Sequence, residues 1–126
     1  MRYITILFLL VFSLNASYIK WQSDYEKAHI QALKENKNLL ILLVDKSSSE
    51  LIKNSFLNQD YVEEINREFV SVYIVKNQKG SYPVELLYTL EYPALFFLNK
   101  YEVYSCESLS GDLTPELITK RLKECF

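Results

Sequence analysis

The sequence predicts an α/β domain in which a central mixed β-sheet is flanked by helices and the chain ends in a β-hairpin and a helix. Three apolar runs have the composition of buried strands, at residues 39–44, 69–75 and 94–98. Amphipathic segments with helix-capping residues alternate with these runs. The length of 126 residues, of which 49% are hydrophobic, fits one globular domain. We expect the first strand pairings to be parallel and the last to be antiparallel.

Residues 1–16 are predicted to be a signal peptide, which leaves residues 17–126 as the folded domain. Arg2 precedes an apolar run over Ile4–Leu14, and small and polar residues follow at Asn15–Ser17. This run is shorter than the roughly 20 apolar residues that a spanning helix needs. An uncleaved N-terminal anchor is the alternative. Both interpretations indicate a periplasmic or otherwise exported protein.

The charge of the chain argues against a nucleic-acid partner. The sequence has 14 basic and 16 acidic residues and a net charge of −2. Cleavage after Ala16 would remove Arg2 alone among the charged residues, leaving 13 basic and 16 acidic side chains and a net charge of −3. Nucleic-acid-binding domains typically present a basic face. We therefore exclude nucleic acid as a partner.

The first helix is predicted to begin at Ser23 or Asp24, because Ser23 and Glu26 have the spacing of a capping box. One face of this helix carries apolar and aromatic residues at helical spacing, namely Tyr25, Ala28, His29, Ala32 and Leu33. The following run over residues 39–44 shows no polar alternation, so we expect this strand to be buried on both faces.

The middle of the chain is predicted to contain two further helices and the second strand. Ser47 and Glu50 repeat the capping-box spacing directly after the first strand. Asp60 and Glu63 open another helical segment, which leads into the strand at residues 69–75. A loop is expected at residues 76–82, followed by a short helix over Val84–Leu90.

The C-terminal part is predicted to be a hairpin followed by a helix. The strand at residues 94–98 is expected to pair with residues 102–108 across a tight turn at Asn99–Lys100. Thr114 is a favourable N-cap and Pro115 suits the first helical position. The inner face of the last helix is expected to comprise Leu117, Ile118, Leu122 and Phe126.

This order of elements, with Pro93 just before the hairpin, resembles the thioredoxin fold. The resemblance extends roughly from Trp21 to Val103 and is closest to the exported thioredoxin-like proteins. It is carried by Trp21, Asp24, Ala28, Ala32 and Lys37, then by Phe56, Asp60, Val62, Ile65, Asn66, Phe69 and Val70, and finally by residues 92–98. It implies a thioredoxin-like α/β fold in which Pro93 follows a cis peptide bond.

The resemblance also locates the loop where the family carries its Cys-x-x-Cys pair. Counting from the strand places that pair at Ser48 and Leu51, whereas counting back from Phe56 places it at Asp45 and Ser48. Residues 44–53 contain no cysteine in either register. Because the thiolate is the species that attacks a disulfide, dithiol exchange at this loop is excluded. We interpret Asp45, Lys46, Ser47 and Ser48 either as a degenerate active-site loop or as solvated turn residues.

In the family, the residue before the cis-proline offers backbone hydrogen bonds to an extended substrate peptide. Tyr92 holds this position here, with Tyr82 and Tyr88 nearby in the sequence. The resemblance therefore implies a peptide-docking edge that works by strand addition. The alternative is that Pro93 only shapes a turn and the tyrosines are ordinary packing residues.

Two cysteines, Cys106 and Cys125, remain in the chain. Cys106 precedes the Gly111 turn by roughly 13 Å of strand, and Cys125 follows Pro115 by roughly 15 Å of helix. If the helix folds back along the strand, the two cysteines end close together. We therefore predict a structural disulfide, which persists in an exported protein. Two free thiols, or a relocated redox pair, are the alternatives.

No cofactor or metal site is predicted. His29 is the only histidine and has no second histidine or nearby cysteine to share a metal, so we interpret it as a packing or boundary residue. No phosphate-binding loop or catalytic Ser/His/Asp set is present.

The leading hypothesis is a non-catalytic, thioredoxin-like module of the bacterial cell envelope that binds a polypeptide partner. The first alternative is a thiol-disulfide oxidoreductase that uses Cys106 and Cys125. The second is a diverged descendant whose fold serves only stability or assembly with one neighbour.

Overall fold

The computed structural model describes residues 18–48, 59–77 and 82–126. Within these ranges the elements follow one another in the order β1 (Trp21–Gln22), α1 (Tyr25–Glu35), β2 (Asn38–Val44), α2 (Gln59–Glu68), β3 (Phe69–Val75), β4 (Ala94–Leu98), β5 (Leu109–Ser110) and α3 (Pro115–Cys125). The predicted α/β class is confirmed. None of the helices in this part of the chain is long and apolar enough to cross a bilayer.

The five strands form one mixed sheet in the order β1-β3-β2-β4-β5. β3 pairs in parallel with both β1 and β2, whereas β4 runs antiparallel to β2 and to β5. The register places Leu43 of β2 opposite Ala94 of β4. The carboxyl ends of β2 and β3 and the amino end of β4 therefore meet at one edge of the sheet.

Helices cover both faces of the sheet. Leu39, Ile41 and Leu43 of β2 pack on the face that α1 covers, together with Tyr25, Ala28 and Ala32. Leu40, Leu42 and Val44 pack on the opposite face, together with Val62, Ile65, Ile118 and Leu122 from α2 and α3. The expectation that this strand is buried on both faces is confirmed. Burial of each such side chain contributes about 1.5–3 kcal/mol to folding.

The two long amphipathic helices begin at the expected caps. The Asp24 carboxylate accepts a hydrogen bond from the Lys27 N–H at 3.1 Å. The Thr114 hydroxyl accepts one from the Leu117 N–H at 3.2 Å, and Pro115 opens α3. The apolar stripes are narrower than predicted, because Leu33 and Leu117 are exposed.

Two predictions for the second half of the chain are wrong. Residues Val84–Leu90 form no helix but a single turn, closed by the Leu87 N–H donating to the Pro83 carbonyl at 3.0 Å. The buried Leu87 side chain anchors this turn to the core. The Leu86 carbonyl accepts a hydrogen bond from the Tyr104 hydroxyl. In a longer helix, this carbonyl would accept from a backbone N–H group of the next turn.

The predicted strand at residues 102–108 is also displaced. β5 forms only at Leu109–Ser110, and the earlier residues contribute one isolated bridge, between Leu98 and Tyr104. Glu102 turns the chain with a left-handed φ of 63°, which interrupts extended structure. The Asn99 side chain stabilises this turn by accepting from the N–H groups of Tyr101 and Val103.

Two predictions lie outside the described residues. They are the signal peptide at residues 1–16 and the helix expected to follow Ser47.

Candidate functional site

Three of the predicted site residues, Asp45, Tyr92 and Pro93, lie close together where β2 and β3 end and β4 begins. Because Ala94 lies opposite Leu43, the preceding Tyr92 and Pro93 lie beside the end of β2, where Asp45 follows. The Lys76 N–H donates to the Val44 carbonyl at 2.7 Å, which holds the residue after β3 against the same edge.

Pro93 is buried, and the peptide bond between Tyr92 and Pro93 is cis. The Pro93 carbonyl accepts a hydrogen bond from the Gly111 N–H at 2.9 Å. Gly111 has a φ of +82°, a conformation that favours glycine, so the chain can turn here directly after β5. The hairpin thus uses the backbone acceptor of Pro93.

Tyr92 has different backbone surroundings. Its N–H and C=O take part in none of the backbone hydrogen bonds found among residues 18–48, 59–77 and 82–126. Its half-buried ring packs against the core cluster on the α1 face. The Lys76 ammonium lies 5.1 Å from the centroid of that ring, within the range of a cation–π contact. The Tyr92 side chain thus has packing contacts, whereas its backbone donor and acceptor have no backbone partner among the described residues.

The three tyrosines predicted around this loop have different surroundings. Tyr88 projects into solvent with 67% of its surface exposed. Tyr82 is half-buried and lines a cleft beside α1 together with Tyr25 and His29. The structure therefore places Tyr82 in a second surface feature that the sequence prediction did not separate from the first.

Asp45 and Ser48 form a reciprocal cap at the end of β2. The Ser48 N–H donates to Asp45 Oδ1 at 2.8 Å, and the Asp45 N–H donates to the buried Ser48 hydroxyl at 3.0 Å. The Ser47 hydroxyl also donates to Asp45 Oδ1, at 3.0 Å. Asp45 and Ser48 are thus joined by reciprocal hydrogen bonds in the turn that follows β2.

These hydrogen bonds decide what the loop can do chemically. The Ser48 hydroxyl and N–H, followed by Ser47, lower the pKa of the Asp45 carboxyl. A carboxylate held in this way is a weak proton acceptor at neutral pH, which makes Asp45 unsuited to general-base catalysis. Lys46 is exposed.

The predicted disulfide between Cys106 and Cys125 is present, with its Cα atoms 6.0 Å apart. It joins the segment before β5 to the last residue of α3. The Ser105 N–H donates a hydrogen bond to the Phe97 carbonyl at 2.9 Å, near the end of β4 that lies away from Pro93. Phe97 lies three residues after Ala94 along the strand, which corresponds to roughly 10 Å. The disulfide therefore lies apart from the Tyr92–Pro93 loop.

His29 lies at the surface boundary of α1, half-buried, with Nε2 2.9 Å from the Lys100 carbonyl oxygen. No group of three or more His, Cys, Asp or Glu side chains suited to a metal ion occurs among the residues that the structure describes.

No known protein-family profile matches the chain. A protein described as uncharacterized from Borreliella burgdorferi is 34% identical over 92 residues, which cover 71% of this chain and 39% of that protein. The chain thus spans well under half the length of this relative.

Among solved structures, one described as the DsbH oxidoreductase superposes with a TM-score of 0.63. It is 12% identical in sequence, and the match covers 89% of this chain and 87% of that one. The match in architecture, together with the mixed five-stranded sheet and its flanking helices, shows that the chain has an α/β, thioredoxin-like fold.

Proposed function

We propose that this chain is a diverged, non-catalytic thioredoxin-like protein of the bacterial cell envelope that binds an extended polypeptide segment at the Tyr92–Pro93 loop. The proposed location, periplasmic or otherwise exported, rests on the signal-like residues 1–16.

The backbone of Tyr92 is the observation that carries the proposal. Its N–H and C=O have no backbone partner within the described ranges, although only Pro93 separates the residue from a fully buried strand. An extended segment that adds a strand needs one such donor and acceptor pair as a starting point. The fixed Tyr92 ring and the exposed Tyr88 ring supply apolar surface on which its side chains can rest.

The chemistry of the neighbouring loop supports the non-catalytic part of the proposal. Residues 44–53 contain no cysteine, and the chain's two cysteines are joined to each other elsewhere. Asp45 and Ser48, which follow β2, hydrogen-bond to each other. What remains at this edge of the sheet is suited to binding and not to disulfide exchange.

A binding assay with a permanently unfolded polypeptide tests the proposal. Reduced and carboxymethylated α-lactalbumin is a suitable probe, because it offers extended segments and no free thiol. We expect the variant Tyr88→Ser to weaken binding about three- to tenfold, since burying an aromatic ring against a partner contributes on the order of 1 kcal/mol.

The matched control is Tyr101→Ser. Tyr101 is 66% exposed, almost the same as Tyr88 at 67%, but it lies on the turn after β4. Removal of the Tyr101 ring should leave the binding of carboxymethylated α-lactalbumin unchanged. Equal weakening by both substitutions, or no binding by the unmodified chain, would overturn the proposed site.

A second candidate function is thiol-disulfide oxidoreductase activity through Cys106 and Cys125. The observation in its favour is that Cys106 lines an open surface depression with Tyr104 and Glu107. Cys125, however, lies at the C-terminal end of α3, where the helix dipole disfavours a thiolate. Reduction of insulin by dithiothreitol should therefore be no faster with the protein than without it, and a clear acceleration would establish the enzyme instead.

A further inference from the structure

A second surface feature lies between α1, the chain at Tyr82–Pro83 and the turn after β4. It is a cleft of about 470 Å³ lined by Tyr25, Glu26, His29, Ile30, Tyr82, Pro83 and Glu102. Its walls are mainly aromatic and apolar, and its two charged residues are both glutamates. The Tyr25 and His29 rings lie 6.4 Å apart between centroids, inclined by 31°.

One of these glutamates is held in a fixed position. The Tyr25 hydroxyl donates to Glu102 Oε2 at 2.7 Å. Tyr25 is only 4% exposed, and burial, followed by the hydrogen bond to Glu102, raises its pKa. The phenol therefore stays protonated and keeps donating. Glu102 itself has a left-handed φ of 63°, and the hydrogen bond from Tyr25 positions its carboxylate.

Among the described residues, the other carboxylate oxygen of Glu102 has no hydrogen-bond donor when His29 is neutral. His29 Nε2 lies 2.9 Å from the Lys100 carbonyl, which can only accept, so Nε2 carries the proton. His29 Nδ1 then has a lone pair, and it lies 3.6 Å from Glu102 Oε1. Two acceptors thus lie side by side, an arrangement that suits a donor supplied from outside.

Among residues 18–48, 59–77 and 82–126, no cationic side chain lines the cleft. Lys100 contributes its backbone at this turn, but its ammonium group donates to Asn36 Oδ1 at 2.6 Å and lies 5.2 Å from the centroid of the Tyr101 ring. The exposed Glu26 adds a second negative charge.

We propose that this cleft binds the guanidinium group of an arginine side chain in a polypeptide. A guanidinium is planar, stacks on aromatic rings and donates in a fork that matches carboxylate oxygens. The cleft offers the partly exposed aromatic rings of His29 and Tyr82 and the carboxylates of Glu26 and Glu102. Only the polypeptide carrier of the arginine rests on the function proposed above; recognition of the guanidinium stands on the cleft alone.

His29 provides the assay, because it is the only histidine and its ring signals in a proton NMR spectrum are unambiguous. We expect N-acetylarginine amide, titrated at pH 8, to shift these signals in a saturable way. N-acetylcitrulline amide has nearly the same shape without the charge, and it should cause no saturable shift. N-acetyllysine amide should bind more weakly than the arginine probe.

Variants assign the binding to the cleft. Glu102→Gln removes the fixed charge and should weaken binding of the arginine probe at least about tenfold. Glu26→Gln alters an exposed side chain, so it should fold normally, and it should weaken binding by a smaller factor. Glu107→Gln, beside the disulfide and outside the cleft, is the matched control and should have no effect.

Three results would overturn the inference. They are equal shifts from the citrulline and arginine probes, equal affinity for the lysine probe, and an imidazole that is doubly protonated at pH 8 and so already donates to Glu102.

The variant Tyr88→Ser separates the two proposals. It should weaken binding of the unfolded polypeptide but leave the arginine titration unchanged, so either proposal can fail without the other.

Discussion

The Cys106–Cys125 disulfide should provide a large share of the stability of this domain. We consider the double variant Cys106→Ala, Cys125→Ala, which removes the cross-link and leaves no free thiol. The disulfide closes a loop across a sequence separation of 19 residues. The loss of unfolded-chain entropy for a loop of that length corresponds to about 3 kcal/mol at 25 °C. For a domain of this size, that corresponds to a fall in melting temperature of roughly 15 °C.

The double variant should still fold, because other contacts hold α3 in place. Ile118 and Leu122 are buried in the core, and the Phe126 ring packs edge-on against Phe69 with centroids 4.9 Å apart. Urea unfolding of both proteins, followed by tryptophan fluorescence and far-ultraviolet circular dichroism, measures the difference. A change below about 0.5 kcal/mol, or two titratable thiols in the native protein without reductant, would refute the reasoning.

Three further substitutions test other parts of the structure. Ser48→Ala breaks the reciprocal cap with Asp45 and should cost about 1 kcal/mol in urea unfolding at pH 7. Ser71→Ala should leave stability unchanged or raise it by up to about 1 kcal/mol, because this buried hydroxyl has no hydrogen-bond partner among the described residues. Burial, followed by the charge of Glu116, raises the pKa of Tyr61 to about 12. Keeping this phenol neutral contributes stability that is complete below pH 10 and is lost as the pH rises from 10 towards 12. Between pH 8 and 11, the free energy of unfolding should therefore fall by about 1 kcal/mol less for the Tyr61→Phe variant than for the unmodified chain.

The strands that form the centre of the sheet could be predicted from the sequence. Largely apolar runs identify β3 and β4 to the residue and β2 to within one residue, because a strand buried on both faces is almost entirely apolar; the buried Ser71 of β3 is the exception. The helix caps at Asp24 and Thr114 could also be predicted. Each side chain accepts a hydrogen bond from an N–H group in the first turn of its own helix, so the signal is local in the sequence.

The edge strands could not be predicted in this way. β1 and β5 are two residues long, and their pairing depends on neighbours that are distant in the sequence. The hairpin is displaced because Glu102 adopts a left-handed conformation, which a non-glycine residue rarely does. A hydrogen bond from the Tyr25 hydroxyl, 77 residues earlier, holds the Glu102 side chain there.

Much of the candidate site could be inferred only by resemblance. The resemblance pointed to Tyr92 and Pro93, but the availability of the Tyr92 backbone depends on Gly111 bonding to Pro93 instead. The cleft beside α1 gave no sequence signal, because its residues come from three separate segments. Tyr82 was the one member identified, and it was assigned to the neighbouring loop.

The backbone amide of Tyr92 tests the central claim most directly. Its hydrogen exchange can be followed by NMR in the free protein and in the complex with the carboxymethylated polypeptide. If an added strand forms hydrogen bonds to this residue, the amide should exchange at least about tenfold more slowly in the saturated complex. An unchanged exchange rate at Tyr92, with binding demonstrated in the same sample, would contradict docking at this loop.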